Sequence, residues 1–253
     1  MVSSVTTYID HGHYSVPGYT SKLDLKIISE ILQWQTKTSI SGALVEIGVH
    51  HGRSFICLAM HRQPNERLGA FDLFEDDDMN PGVHANRSAG FFANIKKWNV
   101  RLEADEVHKG DSLKIDVENL RASYRPVRFF SIDGGHRYVH VSNDLSLARA
   151  VLHDKGIICV DDWMNPVWPE VSHAALDFLR DARGEFVGAV STQAKLYICR
   201  RDAAGALNDL VPTLAGLGSG REFRVSLGDD EPLYLKQKST GKLIEAVRSH
   251  LGR

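Results

Sequence analysis

The chain has 253 residues, 43% of them hydrophobic and 25% charged, with a formal net charge of −2. That balance is too apolar for a disordered chain and too evenly charged for one that tracks a nucleic-acid backbone. No apolar stretch approaches bilayer length, the start MVSSVTTYIDHGHYS does not read as a secretory signal, and Cys57, Cys159 and Cys199 are too scattered for a disulfide framework or a zinc module.

In chain order, the first strong pattern is Leu25, Ile28 and Leu32, widened by Ile27 and Ile31, which predicts an amphipathic helix over 21–35. Short apolar runs then recur, each ending in glycine or an acid. They are Ala43–Ile47 before Gly48, Leu68–Phe71 before Asp72, a weaker run Asp105–His108 before Gly110-Asp111, Val127–Ile132 before Asp133, and Gly156–Val160 before Asp161-Asp162. Runs this short, without strict alternation, predict strands buried on both faces. Helical patterns separate them at Ser54–His61, Val141–Leu152 and Ala174–Ala182.

Strands alternating with helices predict an α/β fold: a Rossmann-like doubly wound sheet, mostly parallel, with helices on both faces. Glu185–Val190 and Ala194–Cys199 read as an antiparallel hairpin closing the sheet edge. Arg221–Leu227 and Pro232–Gln237 suggest another hairpin, and 242–251 a terminal helix. No linker divides the chain, so one domain over 1–253 is expected: a helical or lid segment over 1–40, a cofactor-binding core over 41–200, and an extension over 201–253.

Open parallel sheets bind ligands at the carboxyl ends of their strands. The first such end reads Glu46-Ile47-Gly48-Val49-His50-His51-Gly52-Arg53-Ser54. Gly48 and Gly52 permit close backbone approach, and Ser54 opens a helix whose free N–H groups favour an anion. The pattern is neither a dinucleotide fingerprint nor a Walker loop. It suits an amino-acid carboxylate joined to a nucleoside. Asp72 can accept ribose hydroxyls, and Asp111-Ser112 can bond an adenine amino group. Each residue alone reads equally well as a helix or turn cap.

Asp133, Asp161 and Asp162 end two strands that a parallel sheet can bring together. Three carboxylates at one mouth repel unless a cation neutralises them, and an all-oxygen set suits Mg²⁺ or another hard divalent ion. The alternative is ordinary acids at helix starts. His136, three residues after Asp133, can take a proton from a metal-acidified hydroxyl, or serve as a cap or supporting residue. Trp163–Pro169, with two tryptophans and two prolines, reads as a substrate wall or as a plug on the sheet end.

Together Glu46–Ser54, Ile132–Tyr138 with Asp144-Leu145, and Gly156–Trp163 resemble class I S-adenosylmethionine-dependent methyltransferases, and most closely methyltransferase family 24, with its metal-dependent macrolide-sugar O-methyltransferases. The resemblance covers about residues 20–200. It implies a seven-stranded sheet with the last strand antiparallel and S-adenosylmethionine as cofactor. Its contacts are expected at Glu46, Gly48, Gly52, Ser54, Asp72, Asp111, Ser112 and Asp133. It also implies a divalent ion on Asp133, Asp161 and Asp162, with His136 as general base.

The expected protein is a cytoplasmic homo-oligomer methylating a hydroxyl of a small molecule, a sugar or glycosylated natural product, with no nucleic-acid or membrane partner. Rival readings are a metal-assisted lyase or hydrolase on the same fold, and a non-catalytic cofactor-binding partner protein.

Overall fold

A computed structural model describes residues 4–74, 87–182, 184–218, 223–227 and 230–236. The N-terminal stretch forms α1 (Val5–Asp10) and α2 (Lys22–Lys37). The Ser21 hydroxyl caps α2 by accepting the Asp24 N–H, and Asp24 places a negative charge in the first turn. Then come β1 (Ala43–Ile47), α3 (Arg53–Ala59), β2 (Leu68–Asp72), α4 (Arg87–Lys97), β3 (Val107–Lys109) and α5 (Val117–Tyr124). These lead to β4 (Val127–Ile132), α6 (Tyr138–Val151), β5 (Leu152–Val160) and α7 (Pro169–Asp181). The chain ends with β6 (Phe186–Ser191), β7 (Leu196–Arg200), α8 (Arg201–Ala204), α9 (Val211–Leu217), β8 (Phe223–Arg224) and β9 (Leu233–Tyr234).

The sheet order is β3-β2-β1-β4-β5-β7-β6-β9-β8. The first five strands in that order pair parallel, and β7 is antiparallel to both β5 and β6. The expected seven strands with an antiparallel last member are therefore present. The hairpin does not close the sheet, however, because β9 adds to β6 and β8 forms the edge. The weak third run forms a strand only at Val107–Lys109. Upstream, Glu103 and Glu106 cap each other reciprocally and wind 104–106 into a 3-10 turn. β5 begins earlier than expected because Leu152 already pairs with Val127. The predicted helix at 242–251 and the acidic run Glu75–Asp78 lie outside the described residues.

Two cores, one per sheet face, explain why these strands lack polar alternation. Leu44, Phe129, Ile157 and Cys159 face α2, α3 and α4, with Tyr8 and Ile9 of α1. Val45, Phe130, Ile132, Ile158 and Val160 face α5, α6 and α7. Each fully buried aliphatic or aromatic side chain contributes roughly 1.5–3 kcal/mol, so both faces are firmly covered. All three cysteines are buried and free. At the amino end of β4, fully buried Arg128 meets Glu66 through two hydrogen bonds of 2.7 and 2.9 Å and also donates to the His61 carbonyl oxygen. Among the described residues, no helix is long and apolar enough to cross a membrane.

Candidate active site

The strand order reverses between β1 and β4, and the crevice at their carboxyl ends is where such sheets receive ligands. Hydrogen bonds align those ends. Gly48 N–H donates to the Phe71 carbonyl at 2.7 Å, Asp133 N–H to Ile47 at 2.8 Å, Gly110 N–H to Asp72 at 3.0 Å, and Asp161 N–H to Ile132 at 2.9 Å. The turns after β1, β2, β3, β4 and β5 therefore share one rim.

Gly48 has φ +90°, and a Cβ there would lie 1.9 Å from the Asp133 carbonyl oxygen. Only glycine permits this approach of the first and fourth turns. Gly52, φ +92°, caps α3, and buried Ser54 lies in its first turn. Glu46 is fully buried beneath the turn. It accepts from the Ser131 hydroxyl at 3.0 Å through Oε1, while Oε2 has no hydrogen-bond donor. Burial pushes its carboxyl up to about 7, against partial compensation from Ser54, Lys195 and Ser131.

Asp72 is buried and holds the turn. Its Oδ2 accepts the His50 N–H and its Oδ1 the Phe74 N–H, both at 2.7 Å. A carboxylate oxygen has two lone pairs, so each keeps one beyond these two bonds among the described residues. Asp111 caps the short turn after β3 by accepting the Leu113 N–H, and buried Ser112 lends its carbonyl to Asn143. These acids thus act as caps, and the caps stand on the rim where a nucleoside was expected.

The acids after β4 and β5 are arranged differently from the expected triad. Asp133, His136 and Asp162 bring one ligand atom each within 4.8 Å of one another. Asp161 is not in that group; its Oδ1 is 2.9 Å from the Nζ of buried Lys195. Asp162, at φ +54°, accepts from Asn165 at 2.7 Å through Oδ1 and faces His136 Nε2 at 3.0 Å through Oδ2. Burial opposes its charge, yet the His136 and Asn165 hydrogen bonds hold its carboxyl below the usual range. Loss of solvent, and next the Asp161 charge, push Asp133 well above that range, with Lys195 opposing.

Trp168 stacks on His136, ring centroids 4.5 Å apart at 15°, whereas Trp163 is buried in the core below. The plug reading of this segment holds for Trp163, and Trp168 packs at the edge of the same core. Met164 and Val167 stay exposed at its surface. Sequence reasoning missed Lys195 altogether. Its one signal was a charged residue within the otherwise apolar run Ala194–Cys199.

Residues 45–163 match the profile of Methyltransf_24, a methyltransferase domain. No curated protein matches the chain in sequence. Among solved structures the chain is similar to the O-methyltransferase NovP, at 17% identity and TM-score 0.60, over 71% of this chain and 80% of that one. It is similar to apo CalS11, a TDP-rhamnose 3'-O-methyltransferase of calicheamicin biosynthesis, at 19% identity and TM-score 0.51, over 78% and 93% of the two chains. It is also similar to the O-methyltransferase TomG from Streptomyces achromogenes, solved with SAM, at 17% identity and TM-score 0.51, over 77% and 86%. At these identities the structural likeness establishes the fold, which is that of a class I methyltransferase. The matched segment, residues 45–163, is similar to methyltransferase family 24, and together with this fold it makes the chain an S-adenosylmethionine-dependent enzyme.

Proposed function

We propose that the chain transfers the methyl group of S-adenosylmethionine to a hydroxyl oxygen of a small molecule, a sugar or glycosylated natural product. The observation that carries this reading is the His136–Asp162 pair, 3.0 Å apart on the rim beside Asp133, with Trp168 stacked on the imidazole. CalS11, a similar structure, acts on a nucleotide-linked sugar, which supports that acceptor class.

The residues fit the cofactor. Glu46 Oε2 is a buried acceptor without a donor, which suits an amino-acid ammonium, and the Gly48–Ser54 turn offers backbone close to a carboxylate. Asp72 keeps a lone pair on each oxygen for ribose hydroxyls, and Asp111-Ser112 lies at the adenine side. When bound, S-adenosylmethionine supplies an electrophilic methyl on a sulfonium.

The residues also fit a divalent cation, in a smaller set than expected. Mg²⁺ is commonly held by one or two carboxylates, with waters and substrate oxygens completing its shell. Asp133 and Asp162 would hold it here. Such an ion supplies charge that makes a hydroxyl more acidic.

His136 then acts as the base. With Nε2–H donating to Asp162, Nδ1 carries the free lone pair and takes the hydroxyl proton. Asp162 fixes the tautomer and stabilises the imidazolium. Trp168 limits the ring's rotation and shields it from water. Alignment of the oxygen with the methyl carbon supplies much of the rate.

The reading includes a homo-oligomer in the cytoplasm, without nucleic-acid or membrane partners. Incubation with methyl-labelled S-adenosylmethionine and vicinal-diol sugars tests it. Label is expected on an acceptor oxygen; label only on nitrogen or carbon would overturn O-methylation.

A further inference from the structure

Arg137 directly follows the proposed base, and its exposed guanidinium has no hydrogen bond or ion pair among the described residues. The acids of the neighbouring segments are committed elsewhere. Asp162 accepts from Asn165 and faces His136, Glu170 accepts the Tyr138 N–H at 2.7 Å, and Asp177 accepts the Tyr138 hydroxyl at 2.9 Å and pairs with Arg180. Within the turns after β4 and β5, 133–138 and 161–168, Arg137 is the one lysine or arginine. An unpaired guanidinium one residue from the reacting group is open to an oxyanion brought from outside.

The same place is apolar. Tyr138, Val139, Met164 and Val167 are four of the eleven large hydrophobic side chains exposed among the described residues, Met164 at 54% and Val167 at 68%. Their two segments meet on the rim, because Trp168 stacks on His136 and Glu170 holds the Tyr138 N–H. The second segment is fixed rather than slack. Trp163 N–H donates to the Ala194 carbonyl at 2.9 Å, Asn165 donates to Asp162 at 2.7 Å and accepts the Val167 N–H at 3.0 Å, and Pro166 and Pro169 stiffen the chain. Single exposed apolar residues are ordinary, but a cluster held in place beside a site marks a surface that something covers. The occupant is the acceptor, since this surface is continuous with the base that its hydroxyl must reach.

We propose that segments 137–139 and 164–168 form the acceptor-recognition surface and that the acceptor is an anionic amphiphile. Beyond the methylated hydroxyl it lays an apolar body on Val139, Met164 and Val167 and brings an oxyanion, a carboxylate or a phosphate, to Arg137. The inference rests on the proposed O-methylation and narrows its acceptor, since a free neutral sugar fills neither contact.

The test uses the full chain loaded with S-adenosylhomocysteine, with ligand binding read by calorimetry below micelle-forming concentrations. Octyl β-D-glucuronide carries both features, octyl β-D-glucoside only the apolar body, and glucuronate and glucose 6-phosphate only an oxyanion. The first should bind at least about tenfold more tightly than glucuronate, and at least about threefold more tightly than octyl β-D-glucoside. Met164→Ser with Val167→Ser should erase the preference for the octyl chain and keep that for the carboxylate. Arg137→Gln should erase the preference for the carboxylate and keep that for the chain, and Arg137→Lys should retain part of both. Comparison of glucuronate with glucose 6-phosphate tells which oxyanion Arg137 receives.

Preferences that survive these substitutions would place the acceptor elsewhere and overturn the proposal. So would equal affinity for octyl β-D-glucuronide, octyl β-D-glucoside and glucuronate, or no saturable binding of the first. Should the serine variant not fold, the wild-type preferences and Arg137→Gln decide alone. Failure of the methyl-transfer reading shows separately, as the same preferences with no labelled methyl from S-adenosylmethionine on any of these sugars.

Discussion

His136 Nε2 and Asp162 Oδ2 meet at 3.0 Å, although one residue follows β4 and the other follows β5. Adjacent parallel strands in register, Ile132 beside Val160, bring their turns together. If Nδ1 of His136 takes the proton, His136→Ala should lower kcat by about two to four orders of magnitude, the usual range for loss of a general base. The pH-dependent limb of the wild-type rate should vanish in the variant, while S-adenosylhomocysteine affinity stays unchanged. A tenfold loss with the limb intact would assign His136 to orientation only.

Glu46 links the cofactor seat to stability. Burial raises its carboxyl from the ordinary 4.5 to about 7, so the folded chain keeps a proton that the unfolded chain has released. Stability from that proton is complete below the unfolded value and is lost as pH rises through the folded one, by on the order of 3 kcal/mol. Glu46→Gln should flatten this decline, so thermal melts at pH 8 should show a higher Tm than wild type. At pH 8, where Glu46 is ionised, the same variant should bind S-adenosylhomocysteine more weakly, because its uncharged amide attracts the ammonium less.

Gly48→Ala tests the contact between the first and fourth turns. Its Cβ would fall 1.9 Å from the Asp133 carbonyl oxygen, at a φ of +90° that side chains disfavour. Thermal or urea unfolding should show a loss of about 2 kcal/mol or more. Calorimetry on the folded fraction should show weakened S-adenosylhomocysteine binding.

Arg128 provides a contrast at the other end of β4. Arg128→Met would leave the Glu66 carboxylate buried without the guanidinium that now meets both its oxygens. Urea unfolding should show a loss of about 3–5 kcal/mol, the range for breaking a buried ion pair. Cofactor affinity of the folded fraction should stay unchanged, because this pair lies away from the rim.

Much of the architecture was legible because apolar runs such as Ala43–Ile47 and Val127–Ile132 leave little choice but a doubly covered strand. The rim residues were legible for the same reason, since Gly48, Asp72, Asp133 and Asp161 directly follow or end those runs. What each acid faces was not legible. Asp161 and Asp162 are neighbours in sequence, yet one turns to Lys195 and the other to His136. That divergence follows from the left-handed backbone at Asp162 and from a lysine 34 positions after Asp161, brought near by the antiparallel pairing of β7 with β5. Local pattern carries neither fact. The place of β7 between β5 and β6 was hidden likewise, since a hairpin's sequence does not say which of its strands meets the sheet.

The central claim is that the turns after β1, β2 and β3 seat S-adenosylmethionine. Calorimetric titration of S-adenosylhomocysteine into the full chain, with and without Mg²⁺, tests it most directly. One saturable site is expected, present without the ion, because the proposed cofactor contacts do not require it. Binding should fall by about 10- to 100-fold in Asp72→Ala, where the ribose hydroxyls lose a charged acceptor. No binding in either condition by folded wild-type protein would contradict the account.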